Sequence, residues 1–513
     1  MPSPAFQARL RAAFPNGDKA PTLPSPTSLA AASASLPRRP SHGAGAGAEG
    51  EGDYLAPLGA EATLTHILDD IVPGLNGQAR SGRYYGFVTG GTLPVAEAAD
   101  NIVSALDQNV QVHLPEQTVA TEVESVTLGM LADVLGLEGG RRLGGDGGGG
   151  IEGEEEEVWK GRTFTTGATA SNVLGLACGR EAVIAKRGGN VGESGILGAC
   201  LEAGVKEIQV LTSMGHSSLF KAASVVGIGR ASVRELPLSD DEPWRLDLEA
   251  VERALGWEGV ASVIAVSAGE VNTGRFATGG WEEMRRLRGL ADRFGAWIHV
   301  DGAFGIFARA LEAKPEFAKI REMASGLELA DSITVDGHKL LNVPYDCGMF
   351  FCRSLSIQTS VFTNPNAAYL SSGPAAIPSP LNIGLENSRR FRALPAYAVL
   401  RSEGRSGLAA ILGRMVLLAR KLASWIRASE AYELLPEGDW EMEETHMVVL
   451  FRARNEGLNQ ELVGRINGTR EVYVSGTSWK GRQAVRVAVG SWRVDVERDF
   501  EIITRVLEDI ARA

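Results

Sequence analysis

Short apolar runs and stretches of helical spacing alternate along most of this chain. Runs at 161–166, 208–211, 261–266, 296–300, 333–335 and 349–351 are four to six residues or fewer, rich in β-branched residues, and end in glycine or polar turns. They read as buried strands. Between them, 168–183 and 281–294 carry apolar residues at three- and four-residue steps, which predicts helices. Strand, turn and helix in this order predict an α/β sheet whose sites lie at the C-terminal ends of its strands. Before the first strand, 60–70 and 118–137 have helical spacing. In the second, Val119, Val123, Val126, Met130, Val134 and Leu137 form the expected apolar stripe. After the last strand, 406–426 is a strongly amphipathic helix. Residues 433–513 then alternate strands (447–451, 484–489) with helices and end in a helix at 494–511, a small α+β domain.

Two segments break this pattern. Residues 1–53 are rich in Pro, Ser, Ala and Gly and read as a mobile extension. Arg9 and Arg11, with no acid before Asp18, lend it a trace of transit-peptide composition, but it has no sustained amphipathic pattern. Residues 139–157 join a glycine run, Gly144 to Gly150, to acids from Glu152 to Glu157. No Gly-Lys-Ser follows and the acids would repel phosphate, so this is an exposed insertion. The expected organisation is therefore an extension (1–53), an N-terminal pocket segment (54–105), a large domain (106–400) and a C-terminal domain (401–513).

Composition narrows the function. The chain has 513 residues, 44% hydrophobic, with a net charge of −12. That is ample for a large core, and no Lys/Arg cluster suits nucleic acid or an anionic membrane. No apolar run has transmembrane length. Cys178, Cys200, Cys347 and Cys352 lack metal-ligand spacing and read as free thiols of a reducing, cytoplasmic compartment, with no metal expected.

The candidate chemistry sits at two strand ends. The strand at 333–335 breaks at Asp336-Gly337 and presents His338-Lys339 before an apolar turn. A lysine there is costly to bury unless paired or neutral, and a neutral amine forms an imine with an aldehyde. Upstream, Ala296-Trp-Ile-His-Val-Asp-Gly-Ala ends another strand in Asp301. Pyridoxal phosphate needs such a pair: a lysine for its aldehyde, and a carboxylate that keeps its pyridine nitrogen protonated.

With these residues the chain resembles the pyridoxal-phosphate-dependent group II amino-acid decarboxylases, the aromatic amino acid, tyrosine and glutamate decarboxylases among them. Met214-Gly-His-Ser-Ser is similar to the family's His-Ser-Ser motif, Arg389-Arg-Phe-Arg and Gly490-Ser-Trp-Arg resemble later family segments, and the resemblance spans about residue 55 onward. It implies a fold-type I enzyme: a large domain with a mostly parallel seven-stranded sheet, plus a small α+β C-terminal domain. It implies a homodimer with shared crevices, and pyridoxal 5′-phosphate as cofactor. Lys339 would hold the aldehyde and Asp301 the ring nitrogen. His216 would stack on one ring face and Ala303 pack on the other, with Asp336 and His338 beside the lysine. The strand-to-helix turn at Ala168 and Thr169 matches the phosphate turn, and Asn172 matches it less well. Tyr85 and Phe87, in an aromatic glycine-rich segment, would line the substrate pocket, although core packing is the competing reading. His113, beside Leu114 in the segment that crosses between subunits, is the third substrate candidate. The implied reaction is decarboxylation of an L-amino acid to an amine and carbon dioxide.

Two departures stand out. The family often has Gly-Thr-Thr where this chain has Gly269-Glu-Val. Its catalytic loop tyrosine should fall near Pro380, yet 371–388 contains no tyrosine, and Tyr369 matches a different family position. The alternatives are therefore an aldehyde synthase, aldolase or other Cα lyase on the same cofactor, or a non-catalytic binding relative.

Overall fold

The computed structural model describes residues 8, 20–37, 55–137, 159–365 and 377–513. Seven strands form the central sheet: β1 (Gly161–Thr165), β2 (Glu207–Thr212), β3 (Val233–Glu235), β4 (Val260–Ser267), β5 (Trp297–Asp301), β6 (Ser332–Asp336) and β7 (Gly348–Cys352). Their order is β1-β7-β6-β5-β4-β2-β3. The pairs from β3 to β6 are parallel, and β7 runs antiparallel to both neighbours. All eight residues of β4 are buried, as expected for a parallel strand covered on both faces. The predicted mostly parallel seven-stranded sheet is thus present. Four antiparallel strands, β8 (Tyr432–Leu435), β9 (Val448–Ala453), β10 (Ser475–Trp479) and β11 (Arg482–Ala488), make the smaller C-terminal sheet.

The helix Ala168–Ala185 crosses β4 to β7 and positions the site. It lies unusually close to β5 because two of its residues have no side chain. A Cβ at Gly175 would stand 2.2 Å from His299 Cε1, and one at Gly179 would stand 2.9 Å from Trp297 Cδ1. Larger residues there would push the helix off the sheet.

Several expectations need correcting. The helix Ala120–Val134 turns a different face inward. Ala120, Glu124, Thr127, Leu128 and Leu131 are buried, whereas Val119 and Val126 are 64% and 54% exposed. The pattern misled because a carboxylate occupies the buried face, where Glu124 pairs with Arg389. The helix read at 60–70 is regular only over Ala60–His66 and continues as a wide turn over Ile67–Ile71. The helix at 406–426 belongs to a longer one, Ala393–Ala428, broken at Gly404 (φ 60°); it runs through the expected boundary at 400. Within the segment read as a mobile extension, residues 20–37 pack on the body. Thr22 is buried and exchanges hydrogen bonds with the Arg470 carbonyl and Gly77, and Pro26–Ser35 is helical. Residues 139–157, read as an insertion, lie outside the described residues.

Candidate active site

One cavity of about 460 Å³ opens at the C-terminal ends of β4, β5 and β6. Its first wall is the start of the helix Ala168–Ala185. The N-cap residue is Gly167, which offers no side-chain cap, so the first N–H groups of an 18-residue helix face the cavity. That is a prepared anion site. Glycine is required before it, since a Cβ at Gly167 (φ 154°) would lie 3.0 Å from His338 Cε1.

The floor comes from β5 and β6. Asp301 ends β5, and its Oδ2 accepts from Asn172 Nδ2 at 2.8 Å. Asp336 ends β6, and the one-turn helix Gly337–Leu340 brings Lys339 back over it, with Nζ 2.9 Å from Asp336 Oδ2. The lysine side chain is 21% exposed. It is paired with a carboxylate rather than isolated in an apolar turn, which offsets the cost of partial burial. His338 accepts at Nδ1 from Cys347 N and lies against Tyr345, the two rings tilted by 31° with centroids 4.4 Å apart. Burial pushes its imidazole below the ordinary histidine range, Asp336 opposing.

His216 stands across from the lysine. It is the N-cap of the helix Ser217–Val225: its Nδ1 accepts from Ser218 N at 3.2 Å. Burial lowers its pKa, Asp301 pulling the other way. Ala303 and Phe304 continue the floor, the Phe304 ring centroid 5.8 Å from Lys339 Nζ. Phe87, 61% exposed and with φ 55°, closes the outer end with Val88.

Lys339, Asp301, His216, Ala303, Ala168, Thr169, Asp336, His338 and Phe87 thus share one cavity. Two substrate candidates do not join them. Tyr85 is 1% exposed and packs in the main core, the competing reading of that aromatic segment. His113 is buried away from this cavity, its Nδ1 2.8 Å from Thr121 Oγ1 and its N–H on Ser379 Oγ. Asn172 sits one turn beyond the phosphate-type turn, against Asp301. Tyr369 lies outside the described residues.

Arg486 is the cavity residue that sequence reading missed. It comes from β11 and is 7% exposed; Nη1 donates to the Val271 carbonyl at 3.0 Å, and Nε is buried with no partner among the described residues. Burial lowers its pKa and Glu270 opposes this. The signal was available: an arginine at an inward position of the run Ala484-Val-Arg-Val-Ala-Val. Glu270 itself builds the turn that carries Val271. Its carboxylate accepts from Asn272 N (2.9 Å), Thr273 N (2.8 Å) and Thr273 Oγ1 (2.8 Å).

These residues fit pyridoxal phosphate. A lysine, a carboxylate at the end of β5 and an uncapped helix terminus face one cavity, and Asp336 Oδ1 is buried there with no partner among the described residues. The pyridoxal-dependent decarboxylase conserved domain matches residues 91–454, well over half the chain. The chain belongs to the pyridoxal-dependent decarboxylase family. It is a carboxy-lyase that uses pyridoxal 5′-phosphate to decarboxylate an amino acid. Among relatives of this decarboxylase, the L-2,4-diaminobutyrate decarboxylase of Acinetobacter baumannii is 28% identical over 369 residues, 68% of each chain. Tryptophan decarboxylase 1 of Oryza sativa subsp. japonica is 27% identical over 465 residues, covering 85% of this chain and 81% of its own. The crystal structure of Oryza sativa TDC with PLP and tryptamine superposes with a TM-score of 0.76 at 23% identity, covering 100% of this chain and 98% of that one. The fold is that of this family.

Proposed function

We propose that this decarboxylase acts on an L-amino acid whose carboxylate is received by Arg486, with Lys339 holding the cofactor aldehyde and Asp301 its ring nitrogen. The observation that carries the proposal is that Lys339, Asp301 and Arg486 all face one cavity. The N–H groups of Ala168, Thr169 and Ala170 receive the phosphate, and His216 and Ala303 lie on the two ring faces. The cofactor supplies an electron-accepting ring for the α-carbon. The protein does the rest. Asp336 holds the Lys339 ammonium beside the reacting centre. Arg486 orients the leaving carboxylate, a charge-assisted contact in a buried place. Phe87 and Val88 keep water out, which favours departure of a charged carboxylate as neutral carbon dioxide.

A second reading keeps the cofactor and changes the product. Pro380, at the expected tyrosine position, is buried in the short turn Pro380–Asn382. Without a tyrosine there to protonate Cα, an aldehyde synthase or another Cα lyase remains in play. Incubation with a panel of amino acids, with products identified by mass, decides: amine and carbon dioxide support decarboxylation, whereas aldehyde with ammonia supports the second reading.

We further infer a homodimer. Ile102, Leu106, Leu114, Val119, Val126 and Leu385 are exposed apolar side chains. They lie on segments tied together by Thr118 to Gln108 and Asn109 to Ser388 hydrogen bonds. A second copy would cover such a surface and bring His113 near the partner's crevice. The four free cysteines are in keeping with a cytoplasmic enzyme.

A further inference from the structure

Behind the cavity floor runs a line of buried side chains whose hydrogen bonds all point one way. Trp297 Nε1 donates to Ser332 Oγ at 2.9 Å. The same hydroxyl lies 2.8 Å from His299 Nδ1. The other ring nitrogen, Nε2, lies 3.0 Å from Asn172 Oδ1, an amide oxygen that only accepts, so the proton of His299 sits on Nε2 and Ser332 donates to the bare Nδ1. Burial holds this imidazole neutral, its pKa depressed to about 4. Thr334 Oγ1 donates to the same amide oxygen at 2.8 Å. The opposite end of the amide faces the Asp301 carboxylate, which only accepts, and this settles which end of Asn172 is nitrogen.

The nitrogen has two hydrogens, and both have acceptors. One goes to Asp301 Oδ2 at 2.8 Å, the other to Ser218 Oγ at 3.1 Å. Ser218 in turn lies 2.7 Å from His216 Nδ1, and its backbone N–H donates to that nitrogen at 3.2 Å. A backbone N–H cannot accept, so Nδ1 of His216 is bare and the ring's proton sits on Nε2. Asn172, His299, Ser332 and Thr334 are fully buried, and Ser218 and Trp297 nearly so, which leaves no room for water to compete.

We propose that Asn172 is a positioning residue that holds the carboxylate of Asp301 and the hydroxyl of Ser218, and that His216, its Nδ1 occupied by Ser218, is a fixed Nε2–H donor to the cavity and not the source of the proton that replaces carbon dioxide. The proposal rests on the decarboxylase reading of the cavity. A neutral imidazole that gave up its Nε2 proton would be left as an anion. To act as an acid it must first be protonated at Nδ1, against two donors. The charged groups around it divide evenly: Asp301 and Glu270 favour a cationic ring, Lys339 and Arg486 oppose it. The Cα proton then comes from another group.

The test uses holoenzyme labelled with ¹⁵N-histidine, with His216→Gln assigning one of the seven histidines. Protonated Nε2 with bare Nδ1 at pH 7 is expected; a proton on Nδ1 would overturn the proposal. Asn172→Asp keeps the shape and the Oδ1 acceptor but sets an oxygen against Asp301. It should lower kcat at least thirtyfold, change KM less than threefold, and shift the bound cofactor's absorbance. Part of kcat should return as pH falls and the carboxyl pair takes up a proton, His299 and His216 being the other titratable groups at that contact. Ser218→Ala is the milder variant, expected to broaden the His216 signals and to lower kcat three- to tenfold. Wild-type absorbance and kcat in both variants would overturn the proposal. Because tautomer and absorbance are read without turnover, failure of the decarboxylase reading remains distinguishable.

Discussion

Asp336 holds Lys339 from three residues back, with one carboxylate oxygen 2.9 Å from Nζ and the other buried with no partner among the described residues. The strand β6 and the single turn after it create this pairing, so the lysine is placed before any ligand arrives. Asp336→Asn keeps the shape and removes the charge. The expected result is a cofactor Kd raised about tenfold, roughly 1.4 kcal/mol, by titration of apoenzyme. A Kd within twofold of wild type would show that the pairing does not prepare the site.

Arg486→Met should separate binding from folding. Methionine fills similar space and removes the cation. A charged hydrogen bond to a substrate carboxylate is worth about 1.5–3 kcal/mol, so KM should rise about tenfold to a hundredfold while the melting temperature stays close to wild type. An unchanged KM would mean that the substrate carboxylate docks elsewhere.

Oligomeric state is open to a direct check. Sedimentation at assay concentration should give a dimer, and Val119→Glu combined with Val126→Glu should give monomer with lost activity, because two charges on an apolar face cannot be buried unpaired. A wild-type monomer with full activity contradicts the shared crevice.

Stability should fall with acid partly through His446. Burial depresses this histidine to about 3 from 6.5, with Arg420 adding to the effect. Between those values the unfolded chain binds a proton that the folded protein refuses, so stability is full above 6.5 and declines as pH falls. From pH 7 to 5 the loss is about 2 kcal/mol. The unfolding free-energy difference between wild type and His446→Leu should shrink by that amount over the same range; a pH-independent difference would mean that the ring is already charged in the fold.

How much of this was legible in the sequence follows from what each residue does. Lys339, Asp301 and His216 end strands or begin helices, where local pattern speaks plainly, and the strands themselves were legible because burial on both faces leaves continuous apolar runs. Tyr85 was not, because an aromatic in a glycine-rich turn looks the same facing a cavity or a core. Arg486 was marked only as an arginine within an apolar run, since its hydrogen-bond partner, the Val271 carbonyl, comes from a distant turn. Asn172 matched the phosphate turn only weakly, and its contacts lie across the sheet, on β5 and β6, and on Ser218, where local pattern does not reach. The stripe on Ala120–Val134 failed at Glu124, whose burial depends on Arg389, far along the chain.

The central claim is that Lys339 carries the cofactor. Borohydride reduction of holoenzyme, digestion and mass mapping test it most directly. The pyridoxyl group should be found on the peptide containing Lys339, and Lys339→Ala should fold yet yield no reducible adduct. A pyridoxyl group on any other lysine of the wild-type enzyme would contradict the account.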